Sequence, residues 1–561
     1  MWHLSFKLSK NSYLQTRQAP KGGTIMTKWM NINGRRVVFE EGETVLEVAT
    51  KAGIFIPTLC ARPDLPSFGA CRLCIIDVEG NRTYPNSCTL PAREGMVVRT
   101  ATPDLQTVRR NVFQLILAEH PSYCIICKEH DECEKVRHGE YKAGRVIGCF
   151  TCSNKEICEI REISEYLRVK DIRYPMLYKN LPLERDDPFL VRDYNLCILC
   201  ARCIRACQDV LGYSAIALTK RGHDTKVGTI LEVSHLESGC VFCGHCIDVC
   251  PTGALIARGS TWFGTPDKSV TTTCNLCSHG CQMVIDVKWD KVVNVHPPYE
   301  LSARREYCVK GRFCIPALVN GRDRLKYPTV KRKVIKEEQY PVPWDEAITH
   351  TADKLKGYKP EEIGIILSPS LTDEAVYLLL KFAQRVSTNP VVFIEEDIKN
   401  LQSQGVKAIF STFNSNVFSE FDGLEFLILQ DIYQSNSSDT AEVVLPTTMF
   451  AEEDGTKSGE EYMKYAINKA VEPPGEALPS WIIVSRLAQS MGLDGFNHES
   501  IENLQDEIRN AEPLEIPKVS KQQLEYMGVP IADKVEEFRL YITSKRAINQ
   551  SKGKGVLDVQ I

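Results

Sequence analysis

Cysteine is the residue whose spacing in this chain could do chemistry. Of 561 residues 23 are Cys, and all fall between Cys60 and Cys314. The strongest pattern is a pair of four-cysteine runs. Cys197, Cys200, Cys203 and Cys207 stand at Cys-x2-Cys-x2-Cys-x3-Cys, and Cys240, Cys243, Cys246 and Cys250 repeat that spacing with Pro251 behind. Thiolates so spaced hold [4Fe–4S] clusters, and where two runs occur the fourth Cys of each ligates the other cluster. The expected sets are therefore Cys197, Cys200, Cys203 and Cys250 for one centre, and Cys240, Cys243, Cys246 and Cys207 for the other. The exchange forces the two cubanes close together, as electron hopping requires. A zinc ribbon would not use four cysteines per run.

Four further groups carry ligand spacing. Cys60, Cys71, Cys74 and Cys88 stand at Cys-x10-Cys-x2-Cys-x13-Cys. Four thiolates suit a [2Fe–2S] cluster, whereas zinc usually takes two short pairs. His120 precedes Cys124, Cys127 and Cys133 as His-x3-Cys-x2-Cys-x5-Cys, the complement for a four-iron cluster with one imidazole ligand. A neutral imidazole in place of a thiolate makes the site less negative and should raise its potential. Cys149, Cys152 and Cys158 repeat the triad, but Arg145 stands where His120 would. Either His130 or His138 completes this second triad, or it holds zinc, or only one of the two triads carries metal. The last group is Cys274, Cys277, Cys281 and Cys308, at Cys-x2-Cys-x3-Cys-x26-Cys, with Lys310 just after it. Cys314 is left over and reads as a structural thiol.

Short elements must position these ligands. Asn33-Gly34 between Trp29–Ile32 and Arg35–Phe39 is a two-residue hairpin signal. Thr44-Val45-Leu46-Glu47 is a capping box that starts a helix through Ala52. Hairpin, helix and cysteine loop follow the order of a plant-ferredoxin-like fold. A helix over 105–119, apolar at Val108, Val112, Leu115 and Ile116, leads into His120. Met283–Val287 and Lys291–Val295 read as strands around the last group. Beyond it the pattern is α/β. Strands are expected at Ile363–Leu367, Val391–Ile394, Ala408–Phe410 and Phe426–Leu429, with a helix at Thr372–Val386.

Hydrophobic content of 43%, charge of 25% and a net charge of −4 are those of an ordinary globular chain with no nucleic-acid partner. No run reaches the length of a membrane-spanning helix. Thiols in metal spacing belong in a reducing compartment, so a cytoplasmic protein is expected.

The order of modules carries a resemblance. Cys274 to Lys310 looks like the small Fe4S4 domain of molybdopterin-dependent oxidoreductases, in which a lysine after the last Cys lies between cluster and pterin. Lys310 matches that cofactor-binding lysine; without pterin it would be a solvated lysine. Over residues 28–490 the chain resembles the large iron–sulfur subunit of NADH dehydrogenases and the corresponding subunits of NAD-linked formate dehydrogenases, multimeric [FeFe] hydrogenases and electron-bifurcating transhydrogenases. The implied fold is multidomain α+β and α/β. It comprises an N-terminal tail (1–27), a plant-ferredoxin-like β-grasp domain (28–104) and a helical His/Cys segment (105–185). A bacterial two-cluster ferredoxin (186–265), an Fe4S4 domain (268–330) and a reduced Rossmann-like α/β molybdopterin-type domain (331–561) follow.

The resemblance also implies cofactors and partners. The cofactors are one [2Fe–2S] cluster and four [4Fe–4S] clusters, with a fifth or zinc at the second triad. The partners are a flavin- and NAD(P)(H)-binding iron–sulfur flavoprotein, a small thioredoxin-like [2Fe–2S] subunit, and ferredoxin as a soluble redox partner. Catalytic relatives keep further cysteines or a metal-binding Cys in the C-terminal half, and no Cys follows Cys314. No dinucleotide fingerprint or P-loop is present either. The expectation is a non-catalytic relay without molybdopterin, in a soluble NAD(P)-linked complex that includes bifurcating transhydrogenases among its candidates. The alternatives are a catalytic formate dehydrogenase subunit with a non-thiolate metal ligand, or the iron–sulfur subunit of a membrane respiratory NADH dehydrogenase.

Overall fold

In the computed structural model, residues 28–511 are described except for 121–122, 128–148, 150–151, 153–157, 261–265, 277–279, 299–306, 334–336, 369, 390, 392–394 and 459–463. The N-terminal tail, most of the expected strand Val391–Ile394 and the last 50 residues lie outside the described residues. The protein is a mixed α/β multidomain chain. It divides into two compact units: 28–58 together with Cys71–Arg109, and Leu59–Ala70 together with the described residues from Arg110 onward.

In the first unit Asn33 (φ 56°) and Gly34 (φ 84°) both take the left-handed conformation that a type I′ turn demands. They join the antiparallel strands Lys28–Ile32 and Arg35–Phe39. Lys28–Ile32 also pairs in parallel with Val97–Arg99, which pairs antiparallel with Asp77–Val78, giving a four-stranded sheet. The helix Val45–Lys51 begins at Thr44, whose hydroxyl accepts from the Glu47 N–H while the Glu47 carboxylate accepts from the Thr44 N–H, both halves of the expected capping box. Val45, Val48 and Ala49 on this helix are buried, as are Met30, Ile32 and Val98 of the sheet.

The helix expected over 105–119 runs Pro103–Glu119, but its buried row is not the expected one. Leu105, Arg109, Phe113 and Leu117 are buried, while Leu115 is half exposed and Val108 lies at the surface. The spacing i, i+4, i+8, i+12 is a helical row, and its second member is charged. Arg109 can lie inside because its guanidinium donates to three carbonyls, those of Leu73 (2.9 Å), Ile75 (2.6 Å) and Thr100 (2.8 Å).

The second unit holds the remaining modules. Two small antiparallel pairs, Leu190–Arg192 with Leu255–Ala257 and Ala217–Thr219 with Lys226–Gly228, frame the tandem cysteine runs. A three-stranded antiparallel meander, Lys268–Thr273, Gln282–Lys288 and Lys291–His296, follows. The C-terminal module is a six-stranded sheet. Its parallel strands Ile363–Ile366, Ala408–Ser411, Phe426–Asp431 and Val443–Pro446 are joined to the antiparallel hairpin Thr329–Lys333 and Glu337–Pro341. These parallel strands are buried almost throughout, as expected of a sheet covered on both faces. Phe426 and Ile428 pack with the helices Trp344–Leu355, Asp373–Val386 and Ser480–Ser490; Leu427 and Leu429 pack into the opposite cluster with Ile398 and Phe418. No helix among the described residues is long and apolar enough to cross a membrane.

Candidate metal centres

The tandem runs are built as a structural repeat. Between the first two thiols of each run the backbone turns through a left-handed residue, Leu199 (φ 53°) and Phe242 (φ 53°). Each of these residues donates its N–H back to the first thiol, Leu199 to Cys197 Sγ at 3.5 Å and Phe242 to Cys240 Sγ at 3.4 Å. Two residues on, Ala201 (φ 55°) and Gly244 (φ 78°) are again left-handed, and the short helices Arg202–Arg205 and His245–Asp248 carry the third thiols. Left-handed non-glycine residues cost energy and persist where the surroundings demand them.

The geometry brings the expected sets together. Cys197, Cys200, Cys203 and Cys250 line one cavity, walled on its apolar sides by Tyr194, Val227 and Leu255. Burial pushes Cys197 up to about 11 and Cys200 up to about 12, and the neighbouring Cys250 thiol adds to both. Cys246 is raised well above an ordinary thiol, first by burial and then by Cys243, Cys240 and Cys207. Cys240 is pushed up to about 12 by burial, with Cys207 adding. Thiols crowded this way can ionise together only around a cationic core, so the donor set fits an iron–sulfur cluster.

The other groups are placed as follows. Cys71, Cys74 and Cys88 are buried in the first unit. The Cys74 carbonyl accepts from the Ser87 N–H (2.9 Å) and hydroxyl (2.8 Å), and the flanking Leu73 and Ile75 carbonyls are those Arg109 binds. Cys60 is buried in the second unit, on a loop gripped by arginines of the first ferredoxin run. Arg205 donates to the Cys60 (2.5 Å), Pro66 and Ala201 (3.2 Å) carbonyls, and Arg202 to that of Ala61 (3.0 Å). Sequence reasoning passes over Arg109, Arg202 and Arg205, because a lone Arg reads as a solvated charge.

His120 is buried, and desolvation lowers it to about 4, so it is a neutral imidazole at physiological pH. Its Nδ1 is buried without a hydrogen-bond partner among the described residues, which fits a metal ligand. Cys124 is half-buried and Cys127 exposed; Cys133 lies outside the described residues, as do His130, His138 and Arg145.

In the second triad the Cys152 N–H donates to the Cys149 carbonyl at 3.0 Å. Cys158 precedes the helix Glu159–Leu167, and burial raises its thiol. Glu159 holds Arg202 through both oxygens, at 2.5 and 2.7 Å. A Cβ on Gly253 would fall 2.6 Å from Cys152 Sγ, so the triad lies against the run that ends at Cys250.

In the last group Cys274 and Cys308 converge: both sulfurs lie within 4 Å of where a Gly311 Cβ would stand, at 3.8 and 3.7 Å. The Cys274 N–H donates to the Cys281 carbonyl (2.8 Å) and the Gly311 N–H to Cys308 Sγ (3.3 Å). Cys277 lies outside the described residues. Lys310 is half-buried and opens a π-helical turn, Lys310–Cys314. Cys314 is buried beside Cys308 and pushed up to about 12 by burial. Among the described residues no three His, Cys, Asp or Glu side chains stand in finished metal-ligand geometry.

Buried and half-buried thiol sets on turns between short strands, ahead of a parallel α/β sheet, define an iron–sulfur protein assembled from ferredoxin-type modules. Comparison with known proteins agrees module by module. Residues 30–103 match the 2Fe-2S iron-sulfur cluster binding domain, 109–134 the NADH-ubiquinone oxidoreductase-G iron-sulfur binding region, and 187–256 the ferredoxin-like domain of NADH-quinone oxidoreductase subunit 3. Residues 267–320 match the molybdopterin oxidoreductase Fe4S4 domain and 387–490 the molybdopterin oxidoreductase family. These spans leave Cys149, Cys152 and Cys158 outside.

The second NADH-quinone oxidoreductase G-type subunit of Rhizobium meliloti is 32% identical over 64% of this chain and 39% of its own length. The alpha subunit of the NADPH-Fe(3+) oxidoreductase of Geobacter sulfurreducens is 29% identical over 63% of this chain and 38% of its own. The NADH-quinone oxidoreductase G-type subunit of Rickettsia felis is 28% identical over 68% of this chain and 53% of its own. The chain therefore spans about half or less of the length of these relatives. Along its length the matches support one 2Fe–2S domain, several 4Fe–4S domains and a molybdopterin-type domain, and over about two thirds of its residues the chain is similar to G-type subunits of NADH-quinone oxidoreductases.

Proposed function

We propose that this chain is an electron-transfer iron–sulfur subunit of an NAD(P)-linked oxidoreductase complex. It would relay electrons between a flavin- and NAD(P)(H)-binding subunit and ferredoxin or another acceptor, with flavin-based bifurcating transhydrogenation as the finer reading. The observation that carries it is the cavity shared by Cys197, Cys200, Cys203 and Cys250, thiols drawn from two different runs. The exchange places neighbouring ligand sets in one module; burial of Cys203 beside Cys200, Cys197 and Cys250 on one side and Cys246 on the other supports that proximity.

In this reading Cys60, Cys71, Cys74 and Cys88 hold [2Fe–2S], and Cys240, Cys243, Cys246 and Cys207 hold the second ferredoxin centre. His120, Cys124, Cys127 and Cys133 hold one further [4Fe–4S] cluster, and Cys274, Cys277, Cys281 and Cys308 hold another. Cys149, Cys152 and Cys158 hold a fifth four-iron cluster or zinc, or the first triad alone carries metal. Bound clusters supply one-electron storage and transfer. The chain's own residues bury the ligands, aim N–H groups at sulfur and exclude water, which together set each potential. Lys310 lies next to the last set, where it can contact either cluster or an adjoining cofactor. The relatives are NADH- and NADPH-linked by name, which supports a nucleotide-oxidising partner. The absence of Cys after Cys314 supports a relay over a molybdenum or tungsten enzyme.

The test is anoxic purification of the native complex, with subunits identified and iron, sulfide, flavin, molybdenum and tungsten quantified. Iron and sulfide for at least the [2Fe–2S] and four [4Fe–4S] centres, with a flavoprotein partner, are expected. Stoichiometric molybdenum or tungsten would overturn the relay reading, and membrane-embedded partners would favour a respiratory complex.

A further inference from the structure

Arg312 enters the ferredoxin module from its neighbour. It belongs to the π-helical turn Lys310–Cys314, and its backbone N–H donates to the Cys308 carbonyl at 3.0 Å. Its side chain is buried and runs across to the loop of the second cysteine run. There Nη2 meets Asp248 Oδ1 at 2.7 Å, between Cys246 and Cys250 in sequence. The stem lies on Gly244, between Cys243 and Cys246. A Cβ on Gly244 would stand 2.5 Å from Arg312 Nε and 2.9 Å from its Cγ. Any side chain at that position would displace the guanidinium.

Two of its donors, Nε and Nη1, are buried without a hydrogen-bond partner among the described residues. An unsatisfied buried donor on a charged group is expensive and calls for an acceptor. The ligand loop on which this guanidinium lies would enclose a sulfur-rich anion that becomes more negative on reduction. An aromatic stack fixes the approach. The guanidinium carbon lies 5.1 Å from the Phe313 ring centre, Phe313 stacks on Phe189 at 5.1 Å, and Phe189 meets Phe242 edge-on at 5.3 Å. Phe242 is the residue whose N–H points at Cys240 Sγ.

We infer that Arg312 donates Nε–H and Nη1–H to the sulfur shell of the [4Fe–4S] centre of Cys240, Cys243, Cys246 and Cys207. It thereby raises that centre's potential from the neighbouring module. The inference rests on the ligand assignment proposed above. Arg312 is a positioning residue, and it couples the centre beside Cys308 to the ferredoxin centre: a shift of the turn after Cys308 would alter the potential one module away. Hydrogen bonds and positive charge at cluster sulfur favour the reduced form.

The test is a redox titration, followed by EPR, of the full chain reconstituted under anoxic conditions. Iron and sulfide are quantified first, so absence of clusters in the wild type, which overturns the ligand assignment as well, is distinguished from failure of this inference alone. R312Q is expected to make reduction of one [4Fe–4S] centre about tenfold less favourable, a drop of about 59 mV for one electron. The other centres should be unmoved. R312Q/D248N removes the pair without net charge change and leaves no buried carboxylate unpaired. It should still lower the potential, because the N–H donors are lost. R312K, which keeps the charge and the Asp248 partner, should recover part of the drop. Unchanged potentials in cluster-replete R312Q and R312Q/D248N overturn the inference. So does loss of the cluster in all three variants, which would make Arg312 a scaffold residue.

Discussion

Gly253 offers the most direct test of where the second cysteine triad sits. Its backbone is not left-handed, so Ala would be tolerated on conformational grounds; what excludes a side chain is proximity. An added Cβ would lie 2.6 Å from Cys152 Sγ and 3.4 Å from a Leu196 methyl. Atoms in contact settle at about 3.5–4.0 Å, so the sulfur must retreat by about 1 Å. Overpacking of this kind costs about 1–3 kcal/mol. Metal–ligand distances tolerate only about 0.2 Å, so a sulfur displaced that far is lost as a ligand. G253A and C152A should therefore lose the same complement of metal, that of one centre. C152A/G253A should lose no more than either and should be more stable to heat than G253A, because removing the sulfur makes room for the methyl. The assay is iron, zinc and sulfide per chain after anoxic reconstitution, with Mössbauer spectra and thermal unfolding of the full chain. If C152A keeps the wild-type metal content, the triad holds no metal. If G253A keeps it while C152A does not, the contact between triad and ferredoxin run is wrong.

Arg109→Met should strip the donors from three buried carbonyls and destabilise the chain by about 3 kcal/mol or more, at about 1–3 kcal/mol per group. A lowered Tm with weakened [2Fe–2S] absorbance checks this, and an unchanged Tm would count against it. His120→Cys should keep its centre's iron but lower that centre's potential, since a thiolate adds negative charge where a neutral imidazole stood. Equal potentials in titrations of the two proteins would argue against imidazole ligation. Glu453, buried in the C-terminal module, is pushed up to about 8 by desolvation. As pH rises past the ordinary Glu value the unfolded chain releases a proton that the folded chain keeps, so stability falls up to about pH 8. At 1.36 kcal/mol per pH unit the loss is about 3 kcal/mol by pH 7. Glu453→Gln should flatten the decline of Tm between pH 5 and pH 8, and an unaltered slope would refute the assignment.

What was legible in the sequence was local. The Asn33-Gly34 turn and the Thr44/Glu47 capping box are complete within four residues, and both appear as expected. The exchange of Cys207 and Cys250 is legible because ligand spacing carries it, although the partner sits a whole run away. The buried arginines were not legible. Arg109, Arg202, Arg205 and Arg312 are each at most 5% exposed. In a sequence window each looks like a charge for solvent, which is why the apolar pattern of the helix Pro103–Glu119 points away from the row that includes Arg109. Their partners are distant: Arg109 reaches carbonyls 36 and 34 residues back, and Arg205 reaches Cys60 across 145. One signal was available. Where the first run has Ala201, the second has Gly244, and the difference is the room Arg312 occupies. Four interior cations on or beside ligand loops are costly in a bare fold. They become reasonable once the loops enclose anions, and each arginine that also binds a carbonyl fixes the backbone that presents a ligand. Arg109 holds the carbonyls on either side of Cys74, Arg205 holds that of Cys60, and Arg202 holds Glu159 beside Cys158.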